Sequence, residues 1–553
     1  MKLPTLHMYG SKHSKFILSE SWLCDFAIYI VALAILATAM ISLHALGSGL
    51  SGSDEGSHFL NSYFIWSYLS KAAGHNPMAY ATDFYIHYPK ISIGHWPPLY
   101  YAFLSVFFFV FPHTPFPFMV VNLIIGALPA FLVARVVRQS IGLPWAALAA
   151  ITYVFIPISL DNTVRLMLDQ ALAGLCLLAA LLWSAYAKEP SIVRGLAYAS
   201  VAATAILVKG NGWVLAVFPF FHIALTGRWR VLLNWQTYVS GFFALSIVGT
   251  WTVVTYKISS DGFNYAWGID YFFLAISNFV PALYSNLGFA GSMAAFIGIV
   301  GSVFSKDSPE LREAGRTGLA MVLATIIFHA VVPVDLQPRY MSSAIPYLAI
   351  FMTIGVWVST QRWHSVITRP WVSVSVAIAF FCIPGMLYLQ NRPARFDLRM
   401  DFAAVRLTGK PGGMVVVIDG NAGAEGALTA EVALRDPENK SYVVRSSQLL
   451  AKSDFMGKQY ALRVNTPEGV LSLLDEISCN AVVVSDGPFM EPSFAHSGLL
   501  LLALRHPSSP FQLAHNYKHH RHDGSTSVYV RTVPLQLQLE AIRRVNFPAK
   551  APQ

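Results

Sequence analysis

Charge is scarce in this chain. Asp, Glu, Lys and Arg make up 12% of its 553 residues, against 55% hydrophobic and 13% aromatic ones, and the mean hydropathy is +0.51. That balance excludes an ordinary soluble globule, because apolar runs of membrane-spanning length recur from Leu23 to Leu389. Cysteine is nearly absent too. Cys24, Cys176 and Cys382 fall inside apolar runs and Cys479 stands alone in a polar tail, which argues against a disulfide framework and a cysteine metal site. The formal charge of +9 comes without a basic patch interleaved with aromatics, so nucleic acid is not an expected partner. No small-residue cleavage site ends the first apolar run, Trp22 to Leu46, which therefore reads as a retained anchor.

What is present is a polytopic membrane protein. Spans are expected at 24–46, 117–137, 143–160, 166–187, 192–208, 211–227, 236–256, 278–304, 317–334, 341–359 and 371–390, about eleven in all. Short cytoplasmic loops carry the Lys/Arg excess. The inner candidates are Lys12 and Lys15, Arg135 and Arg138, Lys188 and Arg194, Arg228 and Arg230, Lys306 with Arg312 and Arg316, and Arg362 with Arg369. This puts the amino terminus inside and the tail outside. Pro98 to Phe111 is short for a crossing helix and reads as re-entrant or interfacial.

The same topology sends the most oddly placed polar residues to the outer face or just beneath it: Asp54, Glu55, His95, Asp161, Arg165, Asp169, Lys209 and Arg339. Ionisable groups at such depth usually line a cavity or pair with each other. Asp54 and Glu55 are adjacent acids in a Gly/Ser stretch, LGSGLSGSDEGSHF, followed by an aromatic amphipathic segment. They suit either a solvated loop or a general base for an acceptor hydroxyl, with the second acid orienting substrate or holding a cation. Asp161, Arg165 and Asp169 are spaced by four, so on one helix the arginine can pair with either acid. Lys209 interrupts AILVKGNGWVLAVF and Arg339 follows a Pro-bounded loop. Each is either a snorkelling or helix-terminal cation, or a ligand for a phosphate, which Arg grips bidentately and Lys meets as a point charge. Tyr340 either donates to the same phosphate or belongs to the interfacial aromatic belt.

The order of the acidic pair, GHWPPLYY, RLMLDQALAG, LVKGNGW and PRYMSSAIPYL resembles the GT-C fold glycosyltransferases. Within that fold it is similar to the protein O-mannosyltransferase and lipid A aminoarabinose transferase families, over residues 20–390. The resemblance implies inverting transfer of a sugar from a polyprenyl-phosphate carrier to a glycan, lipid or protein acceptor on the outer face of the cytoplasmic membrane. It makes Asp54 the base, supported by Glu55, with Asp169 holding acceptor or sugar. Lys209, Arg339 and Tyr340 then bind the donor phosphate, and Lys90, His95, Asp161 and Arg165 are weaker substrate-binding candidates. Aminoarabinose transferases carry an acid, lysine and proline where this chain has His95 and Trp96. No organic cofactor is implied, and a divalent cation is a further candidate ligand.

The expected fold is mainly α: a GT-C-like membrane domain over 1–390, with its first outer loop at 47–97, then a small soluble α/β domain over 391–553. In that tail, MVVVID, SYVVR, NAVVVSDG and SVYVR alternate with helical stretches, which argues a largely parallel sheet. DGNAGAEGA lacks a complete phosphate-loop pattern and reads as a strand-to-helix turn. HNYKHHRHDG reads as an exposed basic loop, and acceptor recognition is the expected use of the tail. A transporter is the rival reading, although no internal repeat supports it. A polymerase or ligase of lipid-linked glycans is the second.

Overall fold

The computed structural model describes residues 20–47, 49–92, 94–306, 308–362, 370–392, 395–408, 413–453, 457–487 and 494–547. Lys12, Lys15 and Arg369 lie outside them, as does the side chain of Arg362.

Helix α1 (Glu20–Ser42) is followed by a segment of α2 (Glu55–Lys71), α3 (Pro77–His87) and α4 (Leu99–Ser105). The bundle continues with α5 (Pro115–Ile141), α6 (Leu143–Phe155), α7 (Pro157–Val164), α8 (Asp169–Lys188), α9 (Ile192–Val208) and α10 (Val214–Thr226). It closes with α11 (Trp235–Ser259), α12 (Ile269–Val303), α13 (Pro309–Val331), α14 (Ile345–Arg362), α15 (Pro370–Phe381) and α16 (Ile383–Asn391). Among the described residues, seven helices are long and apolar enough to cross a membrane, and α6 with α7 forms a bent pair that makes an eighth candidate. The other three expected spans correspond to the shorter apolar helices Ile192–Val208, Gly210–Thr226 and Ile345–Gln361. This is a multi-pass membrane protein, and its surface fits lipid as the solvent: Phe242, Val253 and Val254 on α11 all face outward, exposed. Leu99–Phe109 is a short apolar helix; at 1.5 Å per residue it covers about half of a 30 Å hydrocarbon core.

The break between α6 and α7 positions the site. Pro157 cannot donate a helical hydrogen bond and forces Ile156 into an extended conformation (φ −66°, ψ 124°), and the two helices meet at 62°. Helix α7 then ends at Val164, Arg165 is extended (φ −110°, ψ 157°), and helix resumes at Asp169. The unwound stretch 164–168 therefore carries backbone polar groups without helical partners in an apolar setting, and each must be satisfied from elsewhere.

Two ion pairs tie the opposite end of the bundle. Arg138 donates a fork to Asp25 at 2.6 and 2.9 Å. Arg228 donates another to Glu313 at 2.6 Å per arm. Ser184 near the end of α8 donates to the same Glu313 at 2.5 Å. The expected basic loops at 135–138, 188–194, 228–230 and 312–316 thus share the end of the bundle remote from Asp169.

After α17 (Met400–Leu407), the tail builds a five-stranded sheet from β1 (Val415–Asp419), β2 (Tyr442–Arg445), β5 (Ala481–Asp486), β6 (Phe511–Lys518) and β7 (Ser525–Arg531), in the order β2-β1-β5-β7-β6. β3 (Ala451–Lys452) and β4 (Ala461–Leu462) form a separate two-stranded ladder. The β-branched runs of β1, β2 and β5 are buried on both faces and pair parallel, as expected of such runs. The sheet is mixed, however, because β7 and β6 add antiparallel on one side. β6 mixes polar and apolar residues and includes His515 to Lys518, so the first four residues of the anticipated basic loop belong to an edge strand, and His519 beyond it is buried.

The tail seats on the segment after α1 through helix α18 (Ala422–Arg435), capped by Asn421, whose side chain accepts from Ala424 N at 2.9 Å. It crosses α2 where both helices carry glycine. A Cβ placed on Gly56 would lie 2.4 Å from the carbonyl carbon of Gly426, whereas one on Gly426 would meet Gly56 at 3.4 Å. The expected result is an asymmetry: Gly56→Ala lowers stability by about 1–3 kcal/mol through overpacking, and Gly426→Ala costs less. Thermal unfolding of the two full-length variants in detergent checks the order.

Candidate active site

Asp54 stands at the N-cap of α2 without using its side chain as a cap, which leaves the carboxylate directed elsewhere. Its Oδ2 accepts from Arg339 Nη2 at 2.9 Å. Arg339 comes from the Pro338–Ser343 turn between α13 and α14, far away in sequence. Burial opposes the charge on Asp54, but Arg339 and Lys209 outweigh it and hold the carboxyl below the usual carboxylate range. Burial likewise acts against the charge on Arg339, and Asp169 and Asp54 raise its pKa in spite of it.

A second pair lies beside the first. Asp169 opens α8, where the helix dipole favours its charge, and Lys209 Nζ donates to its Oδ1 at 2.6 Å. Lys209 closes α9 just before the GNGW turn, in which Gly212 packs so tightly on the α9 backbone that a Cβ would lie 2.6 Å from Ala205 C. Tyr340 unites the two cations: Lys209 Nζ sits 5.6 Å and the Arg339 guanidinium 5.8 Å from its ring centroid. The same ring is stacked with that of His329, the centroids 5.4 Å apart. The pairing leaves ligand capacity unused, since Asp169 Oδ2 and Arg339 Nε are buried without hydrogen-bond partners.

Glu55 has a different character. It is fully buried and paired with Arg395 at 2.5 Å. The same Oε2 accepts from Gly52 N at 2.6 Å and Ser51 N at 3.1 Å, while Oε1 accepts from Leu166 N at 2.9 Å. Arg395 also donates to Val164 O at 2.9 Å and Gly49 O at 3.0 Å. Asn122 Nδ2 donates to Thr163 O at 3.1 Å and Arg165 O at 2.7 Å. Three side chains thereby satisfy the unwound stretch beside the site and fix the loop that presents Asp54.

Of the weaker candidates, Asp161 and Arg165 do pair, at 3.2 Å, but with Arg392 and Tyr388 in a neighbouring cluster, where Tyr388 OH donates to Asp161 at 2.5 Å. Arg165 is not shared with Asp169, because the helix ends between them and the common face expected from the spacing does not exist. Lys90 faces the tail, bonded to Glu425 at 3.3 Å, and burial lowers its pKa against that attraction. His95 sits beside the turn at Gly262, and it is Trp96 whose ring meets His58, at 4.5 Å.

His58 and Arg395 escaped the sequence reading. His58 is one helical turn after Asp54, hydrogen bonded to Tyr101 OH at 2.9 Å, and burial pushes it down to about 4, so it is neutral. Its i+4 spacing from Asp54 was the available signal. For Arg395 the signal was a cluster of arginines just outside the last span, against the positive-inside trend. Among the described residues no group of three or more His, Cys, Asp or Glu is arranged to hold a metal. The two site acids are neutralised by Arg and Lys, a set that suits a phosphate.

Residues 95–253 match the family described as dolichyl-phosphate-mannose-protein mannosyltransferase. The chain has a GT-C-type fold. Among solved structures it is similar to ArnT from Cupriavidus metallidurans bound to undecaprenyl phosphate, with 13% identity, a TM-score of 0.57, and coverage of 92% of this chain and 98% of that one. The apo form of the same protein superposes with a TM-score of 0.57 at 13% identity, covering 90% and 97%. The Archaeoglobus fulgidus oligosaccharyltransferase in its apo form gives 0.50 at 12% identity, over 96% of this chain and 78% of that one. No curated protein sequence matches the chain. Within this GT-C-type fold the matched stretch includes Asp161, Arg165, Asp169 and Lys209, while Asp54 and Arg339 reach the site from outside it.

Lys209→Met leaves the Asp169 carboxylate buried without its cation and is expected to destabilise the protein by about 3–5 kcal/mol. Adding Asp169→Leu recovers most of that loss, which a double-mutant cycle on thermal stability measures.

Proposed function

We propose that the chain is a glycosyltransferase that moves a sugar from a polyprenyl-phosphate carrier to an acceptor hydroxyl on the outer face of the cytoplasmic, or inner, membrane, with inversion at the anomeric carbon. The observation that carries the reading is the set of two acids and two cations at one end of the bundle, with Asp169 Oδ2 and Arg339 Nε unpartnered. The end remote from the basic loops faces outward by the positive-inside rule, so the amino terminus is cytoplasmic and the tail extracytoplasmic.

The chemistry needs a base and an anion site. The acceptor oxygen attacks C1 of the sugar, its proton passes to Asp54, and the C1–oxygen bond to the carrier phosphate breaks on the opposite face. The phosphate leaves with a growing negative charge, which Arg339 meets through its fork and Lys209 as a point charge. Asp169 Oδ2 is free to accept from a sugar or acceptor hydroxyl. Tyr340 holds the two cations over one ring. Glu55 supports Asp54 through the backbone it binds. The ring of His58 stays neutral and leaves the proton to Asp54.

The rival is a carrier of polar or lipid-linked substrates. Such a protein places its charges near mid-membrane between related halves. Here they gather at one end, where a lipid phosphate sits, and this favours the transferase.

Two outcomes are expected. Radiolabelled sugar moves from one of a panel of polyprenyl-phosphate sugars to an envelope extract with the wild type, and Asp54→Asn lowers the rate by about 10²–10⁴ while the protein remains folded. Transfer that survives the substitution removes Asp54 as the base, and flux across vesicles without transfer restores the carrier. On the acid side, kcat/KM stays level down to about pH 4, since a base held below its usual range remains ionised until the pH falls past it.

A further inference from the structure

The tail has the layout of a ligand-binding α/β domain. The chain leaves β1 toward β2 on one side and leaves β5 toward β6 and β7 on the other, so the connections diverge between the carboxyl ends of β1 and β5. At such a divergence open α/β sheets ordinarily hold a ligand. Here the crevice contains Asn421 after β1 and Gly487 after β5, with His519 and Asp523 at its wall, and the chain's own Phe396 and Leu398 line it. Leu398 is buried. Thr526 OH donates to Leu398 O at 2.7 Å, and His520 N donates to Asp397 O at 3.3 Å. The ring of Phe396 packs on His522 at 4.3 Å.

The residue at the start of this strap is Arg395. Its backbone N donates to Leu43 O at 2.9 Å at the end of the first span. Its guanidinium reaches Glu55, Gly49 O and Val164 O. Ser51 of the same catalytic loop completes the crevice lining, and its carbonyl lies where a Cβ on Gly423 of α18 would fall, at 2.2 Å. One face of the tail is thus in contact both with the strap and with the loop that ends in Asp54.

We infer that the tail domain is a brace for the catalytic loop: its strand-end crevice holds the strap 395–399, and the strap presents Arg395 as the positioning residue for Asp54. The crevice is spent on the protein's own chain, and acceptor recognition is left to the membrane half. Arg395 touches neither acid of the charge pairs. It acts through Glu55 and through the backbone of 164–168, which leads directly into Asp169.

The kinetic arm of the test rests on the transfer reaction proposed above, and the exchange arm does not. Full-length wild type, Arg395→Gln, Arg395→Lys and Thr526→Val are compared by hydrogen exchange and by transfer kinetics. Arg395→Gln is expected to speed exchange in 49–58 and 164–168 and to lower kcat by about 10–100-fold, with the donor KM changed by less than about threefold, since a displaced base costs rate and not donor binding. Arg395→Lys restores the charge toward Glu55 without the fork to both carbonyls and recovers part of kcat. Thr526→Val, which loosens the strap from the sheet, gives the same pattern more weakly and serves if Arg395→Gln does not fold. Unchanged exchange in both segments overturns the inference, and so does a raised donor KM at constant kcat. If the wild type transfers no sugar, the functional proposal fails and the exchange data alone decide the brace.

Discussion

A helix that stops inside an apolar bundle exposes backbone groups that water cannot reach, and this constraint governs the arrangement of the protein. Pro157 bends the chain, α7 ends at Val164, and helix does not resume until Asp169. The intervening carbonyl and amide groups are answered by Asn122, Glu55 and Arg395. Each of those side chains comes from a different part of the chain. Satisfying one unwound stretch therefore joins α5, the start of α2 and the strap after the last membrane helix into a single node. Removing any one partner leaves the others with unpaired buried polarity, which costs more than the bond itself contributes.

The charges of the site follow from that node. Asp169 is delivered to the mouth of α8 because the helix restarts there, and Asp54 is delivered by the loop that Glu55 ties down. Their cations arrive from turns at helix ends, Lys209 before a glycine turn and Arg339 after Pro338. Bringing four charges so close in a low-dielectric setting is tolerable because the set is neutral overall and each member has an opposite neighbour. In the proposed reaction, a phosphate entering such a set finds cations already oriented, with the reorganisation done during folding.

Much of the fold was legible in the sequence because membrane insertion leaves a local signal. Each of the eleven expected spans contains helix, and the short Pro98–Phe111 segment forms a short helix, since length and hydropathy decide such matters residue by residue. The parallel strands of the tail were legible for a similar reason, as continuous β-branched runs are what a sheet buried on both faces requires. Strand β6 was not, because its mixture of polar and apolar residues, running into the His-rich stretch 519–522, reads like a loop until a partner strand supplies the hydrogen bonds. The reading of Asp161, Arg165 and Asp169 as one helical face failed because it assumed a continuous helix across a break that the expected spans set only a few residues away.

The sequence by itself determined the medium, the order of the helices, the end of the bundle that carries the unusual charges, and the resemblance that singled out Asp54, Asp169, Lys209 and Arg339. Only the tertiary structure decided who pairs with whom. Asp54 with Arg339, Asp169 with Lys209 and Glu55 with Arg395 are contacts between residues 285, 40 and 340 positions apart. Spacing carries information about partners while the chain keeps one helical or strand period. Across turns, breaks and separate domains, the partner of a buried charge is set by which segments pack together, and that is a property of the whole fold.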